Sequence, residues 1–159
     1  MFDSDKFLIE WMIRFLKNKD VIKKEIISIE NKNDQSEFTV QYKDKTKFFI
    51  LMTYLEKSIF NRINNNENCT IITLNNNANV EFMINNWNEF HKFISLSVYF
   101  INPFSKLDKV WVIVPHVHDK ICESSSLSTG LKSMAEMVEE TDERDLEINL
   151  KSKAQELDL

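Results

Sequence analysis

The chain has 159 residues, of which 43% are hydrophobic and 28% charged, and these values are ordinary for one globular domain. Residues 1–138 carry 17 acidic and 17 basic side chains, whereas residues 139–159 carry 8 acidic and 3 basic ones, so the net charge of −5 comes from the C-terminal end. A neutral body without a basic excess argues against nucleic-acid binding.

The first half of the chain predicts one helix and a run of strands. Apolar residues recur at helical spacing over residues 4–18, with Ser4 as the expected N-cap. Branched and aromatic residues then predict three strands, followed by a short helix and a further strand. The strands are expected at residues 21–30, 38–42, 47–54 and 69–74, and the short helix at 55–63.

The second half predicts a long helix, two strands and a final helix. Residues 79–94 place their apolar side chains on one helical stripe. Residues 96–101 and 110–114 are apolar runs of strand length, the second of them buried and ended by Pro115. Serines at positions 124–126 are expected N-caps for a helix over residues 127–138.

This order of elements predicts an α+β fold, with a mixed or largely antiparallel sheet of about five to six strands and three main helices packed on it. The chain lacks internal repeats and linker-like stretches. We therefore predict one globular domain at residues 1–139. Residues 140–159 form an acidic C-terminal tail, for which a helix and a disordered segment are both open.

Gly130 is the only glycine of the chain. Phosphate-binding loops and the serine nucleophile elbow require several glycines, because their backbones turn sharply and approach the ligand closely. The composition therefore excludes the usual Walker A loop, the dinucleotide-binding turn and the G-x-S-x-G elbow.

The sequence also predicts a soluble cytoplasmic protein without a membrane partner. No apolar stretch approaches the roughly 20 residues that span a bilayer, and the N-terminus does not have the pattern of a secretory signal. Cys69 and Cys122 match no metal-binding spacing, and free thiols are typical of a reducing compartment.

The order of one helix, three strands, a helix and a strand resembles restriction-endonuclease-like folds over the first two-thirds of the chain. That resemblance implies an acidic residue and a later Glu-x-Lys motif that together hold a divalent metal. The only Glu-x-Lys is Glu30-Asn31-Lys32, with Asp20 upstream. Both lie on one predicted strand and would stand roughly 30 Å apart. The sequence therefore lacks the metal site of that family.

One short segment, residues 115–123, carries residues suited to a site. His116 and His118 would point to one side of a continuing strand, as paired imidazole ligands must, and Asp119 or Glu123 would add an oxygen ligand. The backbone amides of Ser124 and Ser125 could bind an anion. A divalent metal held by His116, His118 and Asp119 is therefore one hypothesis, and a surface loop is the alternative.

The third histidine and a cluster of basic residues are interpreted as structural features. His91 lies on the apolar stripe of the 79–94 helix and reads as a histidine at the edge of the core, although it would supply a third metal ligand if it lay beside His116 and His118. A basic cluster is interpreted as a solvated face; it consists of Arg14, Lys17, Lys19, Lys23 and Lys24.

Two functions remain open at this stage. The first is a non-catalytic interaction or ligand-binding protein, in which the acidic tail contacts a protein partner or a second copy of the chain. The second is a small metal-dependent hydrolase or nuclease-like enzyme that uses the His116, His118 and Asp119 segment. The missing catalytic motifs favour the first.

Overall fold

The structure is a computed structural model that describes residues 3–31 and 36–157. Its centre is one mixed sheet of six strands that lie side by side in chain order. The strands are β1 (Ile26–Asn31), β2 (Phe38–Tyr42), β3 (Thr46–Leu51), β4 (Asn68–Leu74), β5 (Ser97–Ile101) and β6 (Val110–Ile113). The α+β class and the mixed sheet predicted from the sequence are confirmed.

Strand direction defines two edges of the sheet. β1 and β2, β2 and β3, and β5 and β6 pair antiparallel, whereas β3 and β4 and β4 and β5 pair in parallel. Strands β1, β3, β4 and β5 therefore run in one direction and end at the same side, which we name the carboxyl edge. The opposite side, where these four strands begin, is the amino edge.

Six α-helices lie in the described residues, more than the three main helices that the sequence predicts. They are α1 (Ser4–Lys19), α2 (Asn77–Asn85), α3 (Trp87–Phe90), α4 (Pro115–Ile121), α5 (Leu127–Ala135) and α6 (Glu143–Leu157). The short helix expected at residues 55–63 is a 3-10 turn at Lys57–Asn61. No helix within the described ranges is long and apolar enough to cross a membrane.

Helix α1 forms where the sequence predicts it, with one change at its start. The N-cap is Asp3 rather than Ser4, because the Asp3 carboxylate accepts the backbone N–H of Lys6 at 3.1 Å. Leu8, Met12 and Leu16 follow at four-residue steps and are buried. The helix thus begins at the carboxyl edge and runs along the sheet towards the amino edge.

Strand β1 is shorter than predicted because Asp20 holds the preceding residues in a loop. The Asp20 carboxylate accepts the backbone N–H groups of Glu25 at 2.8 Å and Ile26 at 2.9 Å. Lys24 within this loop has a φ of 51°. Asp20 is therefore the C-cap of α1 and not a strand residue; Lys32 of the Glu-x-Lys motif lies outside the described residues.

The long helix predicted at residues 79–94 is two helices. The side-chain amide of Asn86 donates to the Phe82 carbonyl at 2.8 Å and Asn86 departs from helical geometry, so α2 ends and α3 begins in a new direction. The apolar stripe survives the break: Val80, Met83, Trp87 and Phe90 all remain buried.

Helices cover both faces of the sheet and produce two apolar cores. One core packs α2, α3 and α5 against strand residues such as Ile71 and Phe100. The other packs α1 and α6 against residues such as Phe49 and Ile72. The molecule is therefore a three-layer arrangement of helices, sheet and helices.

The C-terminal residues form helix α6, the first of the two alternatives left open by the sequence. Leu146 is 0% exposed and Leu150 is 9% exposed, and both belong to the core shared with α1. Residues 151–156 are exposed. Removing residues 140–159 would consequently open this core, whereas the last two turns of α6 carry only exposed side chains over those described residues.

Candidate functional site

The segment singled out by the sequence adopts a different structure from the one expected. Pro115 neither lies in a loop nor continues a strand. It is the first residue of α4, where the backbone N–H has no partner within the helix, so a proline is tolerated. On a helix, residues two positions apart are rotated about 200° around the axis, so their side chains point in nearly opposite directions. His116 and His118 therefore do not share one side of a strand, and this expectation was wrong.

The segment also lies at the amino edge rather than at the carboxyl edge. Strand β6 is antiparallel to β5, so its C-terminal end and the following helix α4 lie where β5 begins. Ligands in open α/β sheets bind outside the carboxyl ends of the parallel strands. The position of β6 also differs from the prediction: it is an edge strand, and Val112 is exposed.

The three histidines nevertheless lie in one chain of contacts. The Nδ1–H of His116 donates to the backbone carbonyl of His91 at 2.9 Å. The His91 Nδ1 lies 3.7 Å from one oxygen of Asp119, and the other oxygen of Asp119 accepts the indole N–H of Trp87 at 2.9 Å. His91 is thus a partly buried residue with an acidic partner.

His118 lies on the other side of Trp87. Its ring packs edge-on against the indole at 5.7 Å, and its Nδ1 lies 3.9 Å from the Cys122 sulfur, one turn further along α4. The Nε2 of His118 is buried and has no hydrogen-bond partner within the described part of the chain. Residues 3–31 and 36–157 contain no group of three or more His, Cys, Asp or Glu side chains that could hold a metal ion.

The serines expected to bind an anion lie in a 3-10 turn at Ser124–Ser126, before α5. Ser124 and Ser125 are exposed, and Ser126 occupies the N-cap position without a side-chain capping bond. This turn has three residues, and α5 begins only after it at Leu127. An anion site on Ser124 and Ser125 stays a prediction.

At the carboxyl edge, buried asparagines tie the chain over the ends of β4 and β5. The side-chain amide of Asn75 donates to the carbonyls of Ala135 at 3.0 Å and Val138 at 2.8 Å. Asn102 donates in the same way to Glu139 at 3.0 Å. These bonds hold the segment between α5 and α6 across the position where a ligand would sit in a nucleotide-binding sheet.

Carboxylates from three separate parts of the chain lie next to this segment at the carboxyl edge. We name this group the acidic edge; its members are Asp3, Asp5, Glu10, Glu37, Glu143 and Glu147. Asp3, Asp5, Glu10 and Glu37 line a cavity of about 470 Å³, and the other residues that line it are Lys6, Ile9, Ile13, Asn31 and Leu51. A neighbouring cavity of about 380 Å³ is lined by Ser4, Tyr54, Glu143, Arg144 and Glu147.

The charges of the acidic edge interact with one another. Burial raises the pKa of Asp5 above its ordinary value of 3.8, and the nearby carboxylates of Asp3, Glu143 and Glu37 raise it further. Glu37 is held in place by the backbone N–H of Leu51 at 2.8 Å and by Arg62 at 2.9 Å. Glu143 accepts a hydrogen bond from the Thr53 hydroxyl. Folding therefore holds several negative charges in one place.

Sequence reasoning missed the acidic edge because its residues are distant in the chain and form no motif. Asp5 belongs to α1, Glu37 precedes β2 and Glu143 begins α6. Strands β1 and β3 run in the same direction and both end beside the start of α1. This arrangement brings the three side chains together. The acidic residues after position 138 are the feature of the sequence that points to this surface, but their charge density predicts a C-terminal tail instead.

The fold and these contacts define a three-layer α+β domain with a charged surface at one sheet edge and without a recognised catalytic constellation among the described residues. The sequence matches no protein-family model, and no curated protein and no solved structure matches the chain.

Proposed function

We propose that this chain is a non-catalytic binding protein and that its acidic edge binds a cationic segment of a partner protein. The observation that carries the proposal is geometric: Asp5, Glu10 and Glu37 line one cavity at the carboxyl edge, and Glu143 and Glu147 line its neighbour. A bound cation would offset the repulsion among them. The two free cysteines, Cys69 and Cys122, accord with the cytoplasmic location that the proposal includes.

The cavity beside Asp5 has the composition expected for a side chain with a charged end and an apolar stem. Ile9, Ile13 and Leu51 supply apolar surface, while Asp5, Glu10 and Glu37 supply negative charge around it. Lysine and arginine bury their methylene groups on apolar surface and keep the charged group at a polar rim. A basic peptide segment is therefore the occupant that fits this part of the acidic edge.

The first half of α6 contributes to the same surface while it is anchored in the core. Glu143 and Glu147 lie one turn apart and line the second cavity, and Leu146 and Leu150 fix the helix from below. The partner contact proposed for the C-terminal acidic residues is thus assigned to the start of α6. A 1–139 truncation would remove Leu146 and Leu150 from the core, so substitutions in the full chain are the better test.

The test is binding of a fluorescent peptide that alternates lysine and leucine, followed by anisotropy at low and high salt. The triple variant Asp5→Asn, Glu10→Gln, Glu147→Gln keeps side-chain size and removes three negative charges, so we expect clearly weaker and less salt-dependent binding. The matched control, Glu25→Gln, Asp44→Asn, Glu123→Gln, removes three charges elsewhere. Equal losses in both variants would show that only net charge matters and would refute the proposal.

A metal-dependent hydrolase that uses His116, His118 and Asp119 is the second candidate, although these side chains form no metal-binding group in the described residues and would have to approach one another around an ion. One observation favours it: His116 donates its Nδ1–H to the His91 carbonyl, which leaves Nε2 as the nitrogen with a free electron pair. Metal-binding histidines typically donate their other ring N–H to a carbonyl or a carboxylate in this way. Asp119 stands in the same contact chain through His91.

Elemental analysis of gently purified protein decides between the two candidates. The hydrolase requires bound metal in a one-to-one ratio that is lost in His116→Ala and in His118→Ala. The binding protein requires no metal at this segment, and its peptide affinity is unchanged by either substitution. Stoichiometric metal that depends on both histidines would replace the first proposal with the second.

A further inference from the structure

The amino edge carries a second charged surface, of opposite sign to the acidic edge. Lysines at the end of α1, in the loop before β1 and in the β2–β3 hairpin lie together there. We name this group the basic edge; its members are Lys17, Lys19, Lys23, Lys24, Lys43, Lys45 and Lys47. All but Lys47 are exposed. The neutral body inferred from the sequence therefore has an uneven distribution of charge.

Direct contacts join the elements that carry the basic edge. The backbone N–H of Lys43 donates to the Glu25 carbonyl at 2.9 Å, which fixes the hairpin beside the loop. Burial lowers the pKa of Lys47, and Lys45 and Lys19 lower it as well, so lysines from the hairpin and from α1 are close enough to repel each other. Asp20, Glu25 and Asp44 supply three opposing charges, and the net charge of the surface remains positive.

Two exposed aliphatic residues, Val21 and Ile22, lie between Lys19 and Lys23 in the chain, and we name them the aliphatic tip. Val21 is 65% exposed and Ile22 is 92% exposed, and the neighbouring strand residue Ile27 is 60% exposed. The loop that presents Val21 and Ile22 is held rigidly, because Asp20 accepts the Glu25 and Ile26 N–H groups and the Lys24 N–H donates to the Asp20 carbonyl at 2.7 Å. A non-glycine residue at positive φ, such as Lys24, costs conformational energy that the rest of the loop must offset.

We infer that the basic edge and its aliphatic tip form a docking surface for an anionic lipid membrane. Val21 and Ile22 would enter the boundary between headgroups and acyl chains, while the surrounding lysines contact the lipid headgroups. The sequence predicts no membrane partner because it has no membrane-spanning segment. A contact at the membrane surface does not require a spanning segment.

The chemistry of the surface favours a membrane over the other anionic partners. Proteins that bind single-stranded nucleic acid stack bases on aromatic side chains, and the exposed tip is aliphatic. The tip also lacks the aromatic side chains and arginine that anchor protein–protein interfaces. A lysine-rich surface that includes two exposed aliphatic side chains matches a fluid anionic layer that can adapt to it.

Vesicle flotation of the full-length protein tests this inference. Vesicles of phosphatidylcholine with phosphatidylserine should carry the protein, and vesicles of phosphatidylcholine alone should carry much less of it. Each lysine near an anionic membrane strengthens binding about fivefold, so the variant Lys23→Glu, Lys45→Glu should bind at least about 25-fold more weakly. Its matched control, Lys106→Glu, Lys153→Glu, makes the same change in net charge elsewhere and should bind within a few-fold of the wild type.

A second variant separates membrane insertion from simple attraction to a polyanion. Ile22→Ser should weaken vesicle binding about tenfold, because the side chain loses apolar burial, whereas Ile148→Ser on α6 should have no effect. Both positions are exposed, so both variants should fold. Absence of wild-type binding to phosphatidylserine vesicles at low salt would overturn the inference. A second result would also overturn the inference: vesicle binding is abolished by duplex DNA and is unchanged in Ile22→Ser. This result would assign the surface to nucleic acid.

Discussion

The indole N–H of Trp111 donates a hydrogen bond of 2.7 Å to the side-chain oxygen of Asn75. Asn75 follows β4 and Trp111 lies in β6, two strands away, and the amide of Asn75 also donates to the Ala135 and Val138 carbonyls. One buried asparagine thus joins the sheet to the segment that leads into α6. This segment crosses the carboxyl edge at the ends of β4 and β5, and the cavities of the acidic edge lie beside it.

Replacement of Asn75 by alanine should be strongly destabilising. The substitution leaves the Trp111 N–H and the Val138 carbonyl without their partner, whereas the Ala135 carbonyl still accepts the Val138 N–H at 3.3 Å. Each unsatisfied buried group costs about 1–3 kcal/mol. We expect the free energy of unfolding to fall by about 3–5 kcal/mol in a denaturant titration. Asn77, which is exposed, provides the matched control, and Asn77→Ala should change the stability by less than about 0.5 kcal/mol.

Gly130→Ala should stabilise the protein. Gly130 lies inside α5, and a β-carbon at this position meets nothing within 4 Å. Alanine in a helix interior is favoured over glycine by about 0.5–1 kcal/mol. An increase of this size in the free energy of unfolding is expected from chemical denaturation. A decrease would mean that the position has a steric or conformational requirement that the α5 backbone does not show.

Leu146 tests whether α6 is part of the folded body. Leu146→Ala should lower the free energy of unfolding by about 2–5 kcal/mol, because it leaves a cavity in the core shared with α1. Ile148→Ala, two residues away and 55% exposed, should have a small effect. If both variants unfold at the same denaturant concentration as the wild type, α6 does not dock in solution.

Asp5 should make the protein less stable at neutral than at mildly acidic pH. Its folded-state pKa is raised, so the favourable contribution of its protonated form is present below its unfolded-state pKa of 3.8 and is lost as the pH rises through the higher folded-state pKa. A carboxylate in the first turn of α1 is favoured by the helix dipole, but the direction of the shift shows that burial and repulsion outweigh this effect.

The variant Asp5→Asn removes that contribution. We expect it to stabilise the protein at neutral pH by less than about 1 kcal/mol, because the side chain is exposed enough for solvent to screen the repulsion. The gain should shrink as the pH is lowered towards the unfolded-state pKa. Thermal unfolding of both proteins at several pH values measures the difference, and a gain that is independent of pH would rule out repulsion as its cause.

The sequence was informative where a local pattern decides the structure. The spacing of Leu8, Met12 and Leu16 predicted α1, and the alternation around Val40 predicted β2. It was misleading where one side-chain bond redirects the backbone. The Asn86 amide divides one predicted helix into α2 and α3, and the Asp20 carboxylate delays the start of β1 to Ile26.

The candidate site was less predictable than the fold because it depends on strand direction. The neighbours of His116 and His118 in the sequence did not show that β6 runs antiparallel to β5, which places α4 at the amino edge. Asp5, Glu37 and Glu143 come together only after β1 and β3 are aligned. Contacts between residues more than 30 positions apart leave no spacing pattern for sequence reasoning to detect.

The most direct test of the acidic edge is the pKa of Asp5 itself, measured by NMR titration of the carboxyl carbon with and without the lysine–leucine peptide. Binding of a cationic segment should lower this pKa, because a nearby positive charge favours the carboxylate form. The backbone amide signals of residues at the amino edge, such as Asp44, should not shift when the peptide is added. A pKa of Asp5 that does not change at saturating peptide would contradict the proposal that the acidic edge is the binding surface.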